Sequence, residues 1–368
     1  MALVDALKAV ASQVIVLHHL ATYGPLSYGV FELFPGLIDW LFGYGRIAVQ
    51  VFLVVGGFLA ARALAGDGSA QSLTPLPLLW RRYRRLVLPF MAAMFLAVLS
   101  AKIAGLWVDD DMVPGRPGAA QWFAHALMLH GLLGFESLSA GVWYIAIDFQ
   151  LFAIFVLLLW IGRVYRFAPV ILVPGVTAAA LFWFNRIPDM DAWGLYFFGS
   201  YGMGAIACWA GGGKRSGLWL VSLIVVVALA LVVEFRLRIV VALGVALVLA
   251  LGRRSDVLER WPMMRMSAFL GEISFSVFLV HFPVYLLVTA LFVAWDAVTP
   301  VWSSVALLAA WSASIGIGWA FYHWVERPAA SQRILNGLAR LFQRIVTRGM
   351  EAGRRPVLAL RRFLSSYA

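Results

Sequence analysis

Runs of about 20 apolar residues, the length that crosses roughly 30 Å of hydrocarbon, recur along the chain. They lie near residues 4–24, 42–65, 86–106, 142–162, 168–185, 193–211, 217–235, 237–252, 268–294 and 302–323. The pattern predicts an all-α polytopic integral membrane protein of about ten transmembrane helices. The breaks carry turn and charge signals such as Gly66-Asp67-Gly68, Asn185-Arg186-Ile187-Pro188-Asp189, Gly211-Gly212-Gly213-Lys214-Arg215 and Gly252-Arg253-Arg254. The first run does not end in a small-residue cleavage site and carries Lys8, His18 and His19, so it reads as a retained span rather than a removable signal. The stretch 121–139 holds His125, His130 and Glu136 and reads as interfacial or re-entrant, because a further crossing would break the charge pattern.

Lysine and arginine set that pattern, since basic flanks stay on the cytoplasmic side. With both termini inside, of the 29 bases only Arg46, Lys102, Arg116, Arg186, Arg236 and Arg238 fall outward, where Asp109-Asp110-Asp111, Asp189, Asp191 and Asp296 also lie. An even number of crossings satisfies this asymmetry and an odd number does not. Residues 331–368 alternate apolar positions with arginines and read as a basic amphipathic cytoplasmic tail lying against an anionic leaflet, leaving 1–330 as the transmembrane domain. No internal repeat is visible, which weighs against a transporter of inverted halves.

Composition sharpens this in two places. With 63% hydrophobic and 13% charged residues a water-soluble globule is excluded. The net charge of +11 would by itself suggest a nucleic-acid binder, but the bases are spent on membrane orientation, and no nucleic-acid partner is expected. The single cysteine, Cys208, sits in an apolar run as a packing residue, so no disulfide framework or thiolate cluster can be built.

An ionisable group inside a span costs about 2.5–3.5 kcal/mol and needs a partner or a use. Lys8 and His19, eleven positions apart, fall within about 20° of one another on the first helix and about 16 Å apart along it. Asp5 and Ser12 share their stripe, whereas His18 points about 100° away. A neutral imidazole in a dry pocket suits a general base; hydrogen bonding to a neighbouring helix is the structural alternative. His125, His130 and His323 have no metal-ligand spacing, and no metal is expected.

The basic residue, ten intervening positions and histidine of Lys8 to His19 resemble the first helix of the membrane acyltransferase-3 family, polytopic enzymes that O-acylate carbohydrates. Further motifs follow in the family's order. In Gly45–Leu59, Gln50 stands where the family has an acid and Gly56 where it has serine. Trp80-Arg81-Arg82-Tyr83-Arg84-Arg85 up to Pro89 is similar to its arginine cluster. In Trp143-Tyr144-Ile145-Ala146-Ile147-Asp148, Asp148 replaces its glutamate. Ser274 to His281 resembles its serine, aromatic and histidine run, and Glu326-Arg327-Pro328 its terminal motif.

The resemblance implies transfer of an acyl group, most often acetyl, from acyl-coenzyme A to a hydroxyl of a sugar or cell-envelope glycan, in a bacterial-type inner membrane. It casts His19 as base and Asp148 as the acid that orients it, with an arginine pairing of Asp148 as the competing account. Lys8, Arg81, Arg82, Arg84 and Arg85 would clamp the donor phosphates, although such a cluster is also a plain topology determinant. Trp143, His281 and Gln50 would line the substrate pocket, with packing the alternative for His281. Glu326 and Arg327 would pair at the inner surface. A glycan or lipid-precursor flippase using the same polar groups, or a membrane scaffold, are the readings of other classes; oligomeric state is not legible.

Overall fold

The computed structural model describes residues 1–66, 74–162, 169–212, 216–255, 257–262, 264–327, 329–334, 336–337 and 340. Among the described residues there is no strand, and the helices are α1 (Ala2–Thr22), α2 (Gly24–Leu33), α3 (Pro35–Tyr44), α4 (Val49–Leu64), α5 (Pro75–Ala104), α6 (Ala119–Ala126), α7 (Trp143–Ile161), α8 (Pro169–Phe182), α9 (Gly194–Ala210), α10 (Ser216–Val233), α11 (Leu237–Arg254), α12 (Val257–Arg260), α13 (Arg265–Ala294) and α14 (Pro300–Phe321). Beyond its first few residues the expected tail helix lies outside the described residues, as do the turn at Asp67-Gly68 and the bases Arg163, Arg166, Lys214 and Arg215.

Among the described residues, seven helical segments are long and apolar enough to cross a bilayer: α1, α3 running into α4, α5, α7, α10, α13 and α14 with the π-turn that follows it. The other three expected spans are helices of a different kind. α8 has 14 residues with Pro174 inside it, and α9 has 17. The 18 residues of α11 include Arg238, Arg253 and Arg254. At 1.5 Å per residue these reach about 21–27 Å, short of a 30 Å core unless the membrane thins around them. Two helices were not anticipated: α2 and α3, ten residues each, are set off by Pro25 and Pro35 in their first turns, where the missing N–H costs nothing. The stretch 121–139 forms only the eight-residue α6 and turns.

Two large apolar cores fill the bundle, with a small third of Ala21, Val30, Ile38 and Leu41. One gathers α4, α7, α8, α9, α10 and α11 with one side of α5 and part of α1 and α13; the other gathers the rest of α1 and α13 with α14 and the opposite end of α5. Outside them α10 presents Leu218, Val221, Val225, Leu229 and Val232 as one exposed stripe, the i, i+3, i+7 pattern of a face turned to lipid. One end of the bundle, here the arginine end, is tied by the amino terminus, which reaches Asp5 and Glu259, and by Arg62 on Glu259 at 3.3 Å. The opposite end carries the acidic loops.

α9 is buried along nearly its whole length, and its closest neighbour is α4. The two backbones touch. A Cβ at Gly204 would stand 1.9 Å from the Val54 carbonyl oxygen, and one at Gly57 1.8 Å from that of Tyr201. Small residues permit this approach, and in a bilayer such packing replaces the hydrophobic drive between helices. Gly57→Val and Gly204→Val are therefore expected to lose about 1–3 kcal/mol or more through overpacking. Gly244→Val, at a position with no atom within 4 Å, is the control. Thermal unfolding in detergent would read the difference, and equal midpoints in all three variants would contradict the close contact.

Candidate active site

Polar residues collect on the seam between the two cores. On α1 the stripe Ser12, Ile15, Val16, His19 and Leu20 is buried, and α1 packs closely on α13, whose buried face includes Ser274, Val277, Phe278 and His281. This crossing brings His19 and His281 together, Nδ1 of the first 2.8 Å from Nε2 of the second. The rings are parallel within 11° with centroids 4.9 Å apart. Parallel rings at that separation whose nitrogens approach so closely meet edge to edge, as an N–H···N bond requires.

The protons on this pair follow from the partner at its far end. Nδ1 of His281 lies 2.6 Å from the Phe278 carbonyl oxygen, which only accepts, so Nδ1 of neutral His281 carries the hydrogen and Nε2 is the acceptor. His19 must then donate from Nδ1, which leaves its own Nε2 with a lone pair and no protein partner among the described residues. A neutral imidazole held in this tautomer is a base with its acceptor nitrogen presented. Gly141 guards the other flank. Its φ of +77° lies in the left-handed region, and a Cβ there would meet His19 Cε1 at 2.7 Å, so a side chain is excluded by both strain and space. His18 turns away and donates from Nδ1 to the Leu41 carbonyl at 2.8 Å.

Asp148 is not paired with His19. Its Oδ2 accepts from Arg82 Nη2 at 2.5 Å, the arginine pairing that stood as the competing account. Arg82 also stacks over the Phe152 ring at 5.1 Å. The reason is periodicity: Arg82, partly buried, continues the line of the buried α5 stripe Leu86, Pro89, Phe90 and Ala93, and Asp148 belongs to that of α7, with Leu151, Phe155 and Leu159. Within a low-dielectric bundle two opposite charges on facing stripes find each other before either finds a neutral ring. Gly56, where the resembled motif has serine, opens toward this pair: a Cβ there would lie 3.3 Å from Tyr201 and 3.7 Å from Asp148 Oδ1.

The remaining candidates divide by end. Arg81, Arg84 and Arg85 are exposed at the arginine end, whereas Arg82 is withdrawn from that cluster by Asp148. Lys8 pairs with Asp5 at 2.9 Å. Glu326 does not pair with Arg327. It accepts from Ser276, and Arg327 instead lies 5.7 Å over the Tyr322 ring. Gln50 is buried and accepts from Ser200 at 2.6 Å. Trp143 is exposed and packs on Phe197 with centroids 5.4 Å apart.

His19, Gln50 and Trp143 share the wall of one cavity of about 1010 Å³. It runs from His18, His19 and Phe278 to Asp111, Glu136, Asp191 and Arg236 on the loops of the acidic end and Arg238 in the first turn of α11, and its lining includes none of Lys8, Arg81, Arg82, Arg84 and Arg85. His281 stands behind His19 rather than in the lining. Reading the sequence did not single out Gly141, Ser139 or Arg236 as parts of this wall; Gly141 in the motif before Trp143 was the one available signal.

A family model described as an acyltransferase domain, that of the acyltransferase-3 family, matches residues 1–323. No curated protein and no solved structure matches the chain.

Removing one member of a buried ion pair strands the other, at about 3–5 kcal/mol. Arg82→Met and Asp148→Asn are each expected to lose stability on that scale, and Arg82→Met combined with Asp148→Leu to recover most of it. A double-mutant cycle on thermal unfolding checks this, and additive losses would show that the two charges do not interact.

Proposed function

Because the chain belongs to the acyltransferase-3 family and is a membrane acyltransferase, we propose that it transfers an acyl group, acetyl in the first instance, from acyl-coenzyme A to a hydroxyl of a cell-envelope glycan. In this reading the arginine end faces the cytoplasm of a bacterial-type cell and the cavity opens to the outer side. The observation that carries it is the single tautomer of His19 imposed by His281 and the Phe278 carbonyl. It places an unprotonated nitrogen on the wall of a cavity large enough for a sugar.

A thioester is already activated, so the protein must bring the partners together and manage one proton. The acceptor oxygen bonds to the acyl carbon as its proton passes to His19 Nε2. The C–S bond then breaks, and the imidazolium returns the proton to the leaving thiolate, so the enzyme ends as it began. His281 acts as a positioning residue: its Nε2 accepts from the ring that gains charge. Trp143 offers a flat face for a sugar ring, and Gln50 lines the pocket. Lys8, Arg81, Arg84 and Arg85 hold the donor phosphates by charge-assisted hydrogen bonds. Arg82, engaged by Asp148, serves instead to fix the wall between that clamp and His19.

Incubation of the purified protein with labelled acetyl-coenzyme A and a panel of envelope oligosaccharides, followed by mass spectrometry, tests the reading. His19→Ala is expected to abolish transfer. His281→Leu should reduce it by about 10²–10⁴, the range of general-base contributions. His281→Gln, whose carbonyl oxygen can accept from His19 Nδ1, should retain more. Full turnover by correctly folded His19→Ala protein would remove the proposed base.

A further inference from the structure

Basic residues are disfavoured on the outer side of a membrane protein, and six are expected there in this chain. Three of the six, Arg46, Arg236 and Arg238, line the cavity that His19 lines. Arg236 and Arg238 stand at the start of α11, partly exposed, and converge on one oxygen. Oδ1 of the buried Asn185 accepts from Arg236 Nη1 at 2.5 Å and from Arg238 Nη2 at 3.0 Å, which puts the two nitrogens no farther apart than those lengths laid end to end. Asn185 is held in this orientation by its own Nδ2, which donates to the Tyr196 carbonyl at 2.8 Å. The group at the focus of the two cations is a neutral amide, so their charge is left in place.

Helix capping explains only part of that charge. In the last turn of α8 the Leu181 carbonyl accepts from Arg236 Nη2 at 2.7 Å and the Phe182 carbonyl from Arg186 Nη1 at 3.5 Å. A helix C-terminus carries about half a negative charge. Glu234 adds one more, and Arg186 holds it at 2.8 Å. Three cations therefore face about one and a half negative charges. Asp111, Glu136 and Asp191 line the same cavity, but among the described residues no carboxylate lies within ion-pairing distance of Arg236 or Arg238. Burial lowers the pKa of Arg236; Glu234 opposes this, while Arg238 and Arg186 add to it. Each guanidinium has five N–H donors. Bonds to the protein engage two on Arg236 and three on Arg238. Nε of Arg236 is closed in, which leaves Nη hydrogens free on both residues.

We propose that Arg236 and Arg238 form an anion site on the cavity wall, which takes a carboxylate or phosphate group carried by the acceptor. The identity of the ligand rests on the acyl-transfer reading above, to which the site adds the charge of the second substrate. Two guanidinium forks side by side match the oxygens of either anion. The carboxylates elsewhere on the lining repel such a group, so the charges of the wall orient the ligand with its anionic end toward α11.

The test titrates the full-length protein in detergent with glucose, glucuronate, glucose 1-phosphate and inorganic phosphate, and reads binding by calorimetry. The wild type is expected to bind glucuronate and glucose 1-phosphate about tenfold or more tightly than glucose, the scale of one charge-assisted hydrogen bond. That preference should shrink in about 0.5 M salt, which screens charge beyond a few ångströms. In Arg236→Gln and in Arg238→Gln it should fall below about threefold, the charge-assisted bonds having been lost. Arg238→Lys, which keeps the charge without the fork, should retain part of it. Arg254→Gln, exposed at the far end of the same helix, should leave it unchanged. Equal binding of the three sugars by the wild type, or a preference that survives both glutamine variants, would overturn the anion site; the wild-type comparison decides even where a variant fails to fold. Inorganic phosphate bound as tightly as glucose 1-phosphate would overturn the assignment of the anion to the acceptor. With labelled acetyl-coenzyme A as donor, the charged sugars should show the lower acceptor KM. Failure to acylate any of these sugars or the envelope oligosaccharides, with the binding preference intact, would remove the acyl-transfer reading and leave the anion site standing.

Discussion

A polar group inside a bilayer has no water to fall back on, so each one must find its partner in another part of the chain. This constraint shapes the centre of the protein. Arg82 and Asp148 sit on the buried stripes of α5 and α7 and meet there; His19 and His281 sit on those of α1 and α13 and meet one layer away. Each pair fixes the rotation of two helices about their own axes, because turning either helix by one residue would carry its polar group about 100° out of reach. Apolar packing alone fixes rotation less sharply, since Leu and Val are nearly interchangeable against lipid. The seam between the two cores is therefore defined by polar contacts, and it is where the cavity ends.

Along the bundle these contacts fall into layers. Lys8 and the exposed arginines occupy one end, the Arg82–Asp148 pair comes next, and His19, eleven residues or about 16 Å beyond Lys8 on the same helix, stands at the inner limit of the cavity. In the proposed reaction the thioester arm of the donor must traverse the middle layer. An ion pair is a suitable wall for that position, since it resists leakage of protons and small solutes while the phosphates stay on the exposed arginines behind it.

Much of this was legible in the sequence, and the failures have a common cause. The helical character and the placement of Lys8 and His19 on one stripe follow from periodicity, which is a property of one helix at a time, and the non-spanning reading of 121–139 follows from the distribution of basic residues. The partner of Asp148 is a property of two helices, and motif order alone assigned it to His19. Arg82 carried the missing signal: it continues the series Leu86, Pro89, Phe90 and Ala93 on the buried side of α5, whereas Arg81, Arg84 and Arg85 do not. A charge on a buried stripe demands an opposite charge, and Asp148 is the acid on the buried stripe of α7. The hairpin of α2 and α3 was likewise announced by Pro25 and Pro35 but hidden by counting apolar runs. The left-handed conformation of Gly141 could not be read: its place just before the Trp143 motif marks the position, but nothing local fixes its φ.

That Arg82 takes Asp148 changes the electrostatics expected at His19, the proposed base. A carboxylate beside His19 would stabilise its imidazolium strongly, but it would also be a buried charge with no compensation before the reaction begins. A neutral histidine in that place carries no such cost at rest and still dictates the tautomer through the Phe278 carbonyl. It gives less stabilisation once His19 is protonated, which matters most when the protonated state is long-lived. With a thioester donor that state is brief, because the departing thiolate is itself the acceptor for the proton. A weakly supported base is therefore sufficient for the proposed transfer from a thioester, while an amide donor with a poorer leaving group would call for the carboxylate that this chain has committed to Arg82.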